Sequence, residues 1–368
     1  MKIIQILPEL NAGGVERGTL ELAAFLVAAG HESVVISNGG RLVADLERSG
    51  ARHITLPVHR KSLASLWQVR GLRRVLTAER ADVLHLRSRV PGWLAWLAWR
   101  GMDPAARPRL VSTVHGFYSV NTYSAVMTRG ERVIAVSESV RRYVLENYPR
   151  VPAAAIRVIP RGVEPQHYGA GYRPSAKWLA SWQAEHGGLA GKRVLLLPGR
   201  ITRLKGHEEF FELIAALKAE GMPVHALVAG DTHPKKRRYL DELHGLVRHL
   251  GIGSVVDFLG HRQDLRDIMA VSDVVCALSR QPEAFGRTVL EALALGKPVL
   301  GYDCGGVGEL LAGLFPMGRV PLGKRELLLE KARDILGARP CPQPVGEPFT
   351  LDAMCRATLG VYQELRKV

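Results

Sequence analysis

Short apolar runs alternate along this chain with longer stretches in which apolar positions recur every three or four residues. The runs at residues 2–7, 31–37, 52–56, 83–86, 109–113, 132–136 and 156–159 predict strands in the first half. Runs at 194–197, 224–229, 255–259 and 274–278, and a strand beginning at Val299, predict those of the second. The first of them, Lys2 to Leu7, is short and mostly apolar, as expected of a strand covered on both faces. Helical periodicity falls between them at 15–29, 42–49, 63–78, 91–99, 140–147 and 265–271, through Val289, Leu290, Leu293 and Leu295, and at 352–368. Such alternation argues for an α/β fold with doubly wound parallel sheets. Residues 165–190, rich in Gly, Pro, Tyr and Trp, read as an irregular linker.

A chain of 368 residues suggests two domains, each able to bury a core. The net charge of +15 calls for an anionic partner: nucleic acid, an acidic membrane surface or an anionic substrate. The chain carries no helix-turn-helix, zinc-finger or aromatic RNA-reading motif, so nucleic acid is not expected. Four cysteines without a C-x-x-C pair read as reduced thiols. The first apolar run is too short for a signal peptide, and no run is long enough to span a bilayer. These features lead to an expectation of a cytoplasmic protein, with peripheral contact on the inner face of the cytoplasmic membrane.

The charge is not spread evenly. Between residues 60 and 89 eight Lys or Arg face two acids, Glu79 and Asp82. This is either a solvated face or a patch for an acceptor or membrane; Arg60, Lys61, Arg87 and Arg89 would lie at carboxyl ends of strands, where ligands collect. Trp93, Trp96 and Trp99 make a helical stripe that is either core or membrane-facing. The cations at 235–238 suggest something anionic or a solvated face.

The densest chemistry lies at 282–299, PEAFGRTVLEALALGKPV. Glu283 precedes a helix and Glu291 lies inside it. The loop with Phe285, Gly286, Arg287 and Thr288 presents free N–H groups and the positive end of a helix dipole to a phosphate. Carboxylates accept several hydroxyl hydrogen bonds, as a sugar requires. After the next strand, Cys304-Gly305-Gly306-Val307-Gly308-Glu309 predicts a turn that backbone and ligand approach closely. Pro198 to Gly206 carries Arg200, Arg203 and Lys205 after a strand, suited to a diphosphate. Gly13 and Gly14 follow the first strand and His115 the fifth.

The stretch from Glu283 to Glu309, with two glutamates separated by seven residues and a Gly-Gly pair before a third, resembles the signature of retaining glycosyltransferase family 4. The resemblance implies a GT-B fold: two Rossmann-like doubly wound domains facing across a cleft, at 1–165 with the helix 352–368 returning to it, and at 166–351. It implies Arg200 and Lys205 against the donor diphosphate, and Gly13 and Gly14 on its far side. Glu291 would take the ribose hydroxyls and Glu283 the sugar hydroxyls, with His115 beside the sugar. Gly260, His261 and Arg262 resemble the segment whose backbone meets the nucleobase. Pro160-Arg161-Gly162-Val163-Glu164 resembles the interdomain Pro-Asn-Gly-Val-Asp, with Arg161 in place of asparagine.

The implied reaction is retaining transfer of a sugar from a nucleotide-sugar to a hydroxyl of an anionic glycan or lipid-linked acceptor, as in lipopolysaccharide or other surface polysaccharide synthesis. A front-face displacement would let the leaving phosphate help deprotonate the acceptor. The nucleotide-sugar is a substrate, no cofactor is expected, and the absence of a D-x-D triplet leads us to expect no divalent metal. A nucleotide-sugar epimerase or phosphorylase on the same fold and a non-catalytic polyanion binder are the competing readings.

Overall fold

The computed structural model describes residues 1–11, 13–232 and 237–366. The cations at 235 and 236 therefore lie outside the described residues. The chain divides into two compact units, residues 1–162 with 351–368, and residues 163–350.

In the N-terminal unit, strands β1 (Lys2–Ile6), β2 (Glu32–Ser37), β3 (Arg52–Thr55), β4 (Val83–Leu86), β5 (Arg109–Val114), β6 (Arg132–Ala135) and β7 (Ile156–Val158) form one sheet. Its order is β3-β2-β1-β4-β5-β6-β7. Every pairing is parallel. Helices α1 (Gly14–Ala28), α2 (Val43–Arg48), α3 (Gln68–Glu79), α4 (Arg89–Arg100) and α5 (Glu138–Asn147) connect the strands. The C-terminal helix, Leu351–Arg366, belongs to this unit. Its Met354, Cys355, Val361, Tyr362 and Leu365 share one core with Ile3, Leu22, Val83, Val111 and Ile134.

In the C-terminal unit, β8 (Arg193–Pro198), β9 (Val224–Ala229), β10 (Val256–Gly260), β11 (Val274–Ala277), β12 (Val299–Tyr302) and β13 (Arg319–Val320) order as β10-β9-β8-β11-β12-β13. Its helices are α6 (Ala176–His186), α7 (His207–Ala219), α8 (Arg237–His249), α9 (Leu265–Val271), α10 (Arg287–Ala294), α11 (Gly305–Leu314) and α12 (Arg325–Ala338). Both sheets are doubly wound and parallel, and the apolar runs form strands with ends shifted by a residue or two.

The topology fixes where chemistry belongs. In each sheet the winding reverses once, between β1 and β4 and between β8 and β11, and such a reversal opens a crevice at the carboxyl ends of the two strands. The residues that follow β4 and β1, and those that follow β8 and β11, are therefore the first to inspect.

Three expectations are corrected. Residues 165–190 are not wholly irregular: Ser175 caps α6 by accepting from the Trp178 N–H at 3.2 Å, and Trp178 and Trp182 stack at 5.0 Å. Their four-residue spacing was the helical signal, hidden behind the Gly and Pro ahead of it. The stretch 63–78 splits into a 3₁₀ turn, Leu63–Trp67, and then α3. Gly305-Gly306 opens a helix, and the chain's own backbone fills the space left by the missing side chains. A Cβ on Gly305 would come within 2.5 Å of the Glu283 carbonyl, and one on Gly306 within 2.4 Å of Phe285 Cα. Among the described residues no helix is long and apolar enough to cross a membrane.

Candidate functional site

The C-terminal crevice is built from the loops after β8 and β11. Gly199, at φ 134°, gives way to Lys205, whose Cε would lie 3.3 Å from any Cβ there. Gly206, at φ 72°, starts α7 where a Cβ would sit 2.0 Å from the Leu278 carbonyl, so only glycine lets the two loops approach. The close approach lets Lys205 Nζ donate to Glu283 Oε1 at 2.7 Å across 78 residues of sequence. The Ser279 hydroxyl donates to the same oxygen. Both charged side chains keep about a quarter of their surface exposed, 28 % and 27 %, so a ligand can reach them.

Glu283 also anchors the loop through its carbonyl, which accepts from Gly306 N–H at 2.8 Å. Gly286, at φ 92°, then turns the chain into α10, leaving the N–H groups of its first turn at the crevice. Phe285 is buried, and Arg287 and Thr288 are partly buried. Glu291 is 6 % exposed and takes Arg287 Nε at 3.1 Å, so it faces inward rather than into solvent. Arg200 is exposed on the loop after β8, whereas Arg203 is drawn to α8, bonded to Glu242 and lying 4.6 Å over the Tyr239 ring. Gly260 ends β10 at φ 64° and His261 is exposed. Arg262 is held by Asp264 through two bonds, at 2.8 and 2.7 Å, and Trp178 completes that carboxylate at 2.7 Å. Its side chain is committed to the fold; its backbone stays available.

In the N-terminal unit, Gly13 caps α1 and Gly14 begins it, immediately after β1. His115 follows β5. Its Nδ1 lies 2.5 Å from Arg161 Nη2, and because a guanidinium only donates, Nδ1 must accept. The imidazole is therefore neutral with its proton on Nε2, and that nitrogen is buried without a partner. Burial first, then the Arg161 and Arg87 charges, hold its pKa well below the ordinary histidine range. His115 is thus a donor of one directed hydrogen bond, not a base.

The cationic positions separate into two sets. Arg60 and Lys61 are exposed; Lys61 lies 4.6 Å over the Tyr123 ring, and Arg89 lies over Tyr118 at 4.6 Å while donating to the Ser124 hydroxyl at 3.3 Å. Arg87 does not belong to this surface patch. It is 3 % exposed because β4 turns it inward beneath α1. The tryptophan stripe is held by the fold. Trp93 and Trp99 donate to the Tyr123 and Pro108 carbonyls, each at 2.7 Å, and Arg129 and Arg107 cover Trp96 and Trp99 at 3.9 and 3.7 Å. The more exposed tryptophan is Trp67, at 76 %, beside Leu66 at 49 %.

Comparison with known proteins agrees with this geometry. Residues 12–167 match the model described as Glycosyltransferase Family 4, and residues 181–315 match Glycosyl transferases group 1. The chain belongs to glycosyltransferase family 4. A glycosyltransferase of Rickettsia africae superposes with a TM-score of 0.85 at 27 % identity, covering 100 % of this chain and 98 % of that one. HepE of Anabaena, solved with UDP and glucose, superposes at 0.78 with 21 % identity, covering 100 % and 98 %, and shows the shared GT-B fold. The D-inositol 3-phosphate glycosyltransferase of Rhodococcus erythropolis is 29 % identical over 62 % of this chain. The chain spans about half the length of that relative, 53 %.

One side chain beside the candidate site residues was missed by reading the sequence. Arg161 departs from the interdomain pattern, and only the folded chain shows that it fixes the tautomer of His115. The departure from asparagine was itself the available signal.

Proposed function

We propose that this chain is a retaining glycosyltransferase that moves a sugar from a nucleotide-sugar to a hydroxyl of an anionic acceptor. The observation that carries the reading is the Lys205 to Glu283 bond, which joins the two loops at the C-terminal switch point beside the start of α10. A donor would replace that bond with better ones: its diphosphate takes Lys205, Arg200 and the N–H groups of the α10 turn, and its sugar hydroxyls take Glu283. These fixed donors meet the charge that grows on the leaving phosphate as the glycosidic bond breaks. Glu291 takes the ribose hydroxyls and the Gly260 to Arg262 backbone takes the base. His115 offers Nε2–H to a sugar hydroxyl. Retention follows from front-face attack, with the leaving phosphate accepting the acceptor's proton.

The acceptor reading rests on the exposed cations of the N-terminal unit. Exposed Arg60, Lys61, Arg70, Arg73 and Arg74 flank Leu66 and Trp67 in sequence, with no carboxylate before Glu79. Such a surface suits a lipid-linked or surface-polysaccharide acceptor on an anionic membrane, and each cation near that surface contributes about 1 kcal/mol. A relative named for D-inositol 3-phosphate makes a small phosphorylated acceptor the alternative. Vesicles separate the two: those with anionic lipid should bind at low salt and release Trp67→Ala, whereas equal binding to neutral vesicles removes the membrane from the account.

The donor site is tested by a thermal-shift panel of UDP, GDP, ADP and CMP on the wild type and Glu291→Ala. At a hundredfold excess over its Kd a true ligand stabilises by about 2.7 kcal/mol. One nucleotide should raise Tm in the wild type and fail to do so in Glu291→Ala. No response to any of the four would overturn the donor site.

A further inference from the structure

The N-terminal switch point holds a feature that the transfer reaction does not use. Arg87 follows β4 and is 3 % exposed, and its Nε and Nη2 are buried with no acceptor. A guanidinium stays charged inside a protein, so an unmatched one is costly. A second guanidinium lies close by: a Cβ on Gly18 would sit 3.0 Å from Arg161 Nη1 and 3.4 Å from Arg87 Nη2. Glu16 and Glu21 of α1 act on Arg87 through space, but neither bonds these two nitrogens.

Arg87 and Arg161 both line a cavity of about 10 Å³, together with Leu22, Ile134, Ile159 and Met354 and the threonines Thr113 and Thr358. That volume admits one water-sized sphere, and a cavity lined with N–H donors is not left empty. Its occupant has to accept hydrogen bonds from Arg87 Nε and Nη2, and a negative charge suits a place beside two guanidinium groups. Room for a single water-sized sphere suits a monatomic ion better than a phosphate or a carboxylate.

We propose that this cavity is a buried halide site, filled by chloride held between the guanidinium groups of Arg87 and Arg161. The ion supplies the acceptor that Arg87 Nε and Nη2 lack. By fixing Arg161 it also fixes the bond that leaves His115 protonated on Nε2. The proposal is independent of the donor site, and its test uses no nucleotide.

The test follows Tm as chloride replaces gluconate at constant ionic strength. The wild type should gain Tm saturably, as a ligand that binds only the folded state requires. Arg87→Met keeps the volume and removes the charge; it should fold, lose the chloride dependence, and melt in gluconate no lower than the wild type. Crystals of the wild type grown in bromide should give an anomalous peak between the two guanidinium groups. A Tm that follows ionic strength alone, a chloride response that persists in Arg87→Met, or density in the cavity without anomalous signal would each overturn the site. Should Arg87→Met fail to fold, the bromide crystal of the wild type decides.

Discussion

The two switch points of this chain handle charge in opposite ways. In the C-terminal unit most cations around the crevice are given an acid: Lys205 has Glu283, Arg262 has Asp264, Arg280 has Glu209 and Arg287 has Glu291, beside an exposed Arg200. In the N-terminal unit the corresponding cations meet rings, hydroxyls and an imidazole: Lys61 and Arg89 over tyrosines, Arg161 on His115, Arg87 on nothing at two of its nitrogens. The first arrangement holds most of its charge in pairs until a ligand arrives, and the exposed part of its Lys205 pair can be exchanged for a diphosphate and a sugar. The second keeps its positive field, which draws an anion toward that face but cannot cradle a neutral hydroxyl by itself. A doubly wound sheet thus supplies the place, and the pairing of charges decides what the place can hold.

The largest effect expected from this contrast is on turnover. Glu283→Ala removes the group proposed for the donor sugar and frees Lys205, and steady-state rates with the nucleotide-sugar identified by the panel should fall about 10² to 10³-fold. A loss below tenfold would mean that Glu283 only anchors its loop.

Gly206→Ala sharpens the same region from the side of the backbone. Its positive φ and the Leu278 carbonyl 2.0 Å from any Cβ should cost about 2 to 3 kcal/mol in urea denaturation. It should also disturb the Lys205 to Glu283 bond, which that turn makes.

The smaller effect is on acid stability, and it spans both units. Burial pushes the His85 pKa well below the ordinary range and that of His207 down to about 4. The native state therefore refuses protons that the unfolded chain accepts below about pH 6.5. Stability is complete above that pH and falls as pH drops toward the native values, by about 1.4 kcal/mol per pH unit for each histidine. Urea denaturation at pH 7 and pH 5 measures this, and His207→Leu should reduce the slope by one proton. An unchanged slope would mean that His207 is protonated in the native state.

The sheets were legible because residues such as Val194 to Leu197 are apolar at every position, as suits a strand buried on both faces of a parallel sheet. The glycosyltransferase signature was legible because Glu283, Glu291 and Lys205 keep their types and order. What could not be read is what distance in sequence conceals. Nothing near Lys205 announces that it meets Glu283 rather than solvent, and nothing near Arg87 announces that β4 turns it under α1. Arg161 was visible as a departure, but its purpose appears only when His115, 46 residues away, is placed beside it. Gly305-Gly306 misled because glycine signals close approach without naming what approaches; here it is the backbone of Glu283 to Phe285.

The central claim is that the diphosphate of a nucleotide-sugar takes Lys205 from Glu283 at the C-terminal switch point. Calorimetric titration of the nucleoside diphosphate selected by the panel into the wild type, Lys205→Met and Glu283→Gln tests it directly. The account predicts binding at least tenfold weaker to Lys205→Met, and binding to Glu283→Gln that is unchanged or tighter, because freeing Lys205 from its carboxylate favours the phosphate. Equal affinity for the wild type and Lys205→Met would contradict it and move the diphosphate elsewhere.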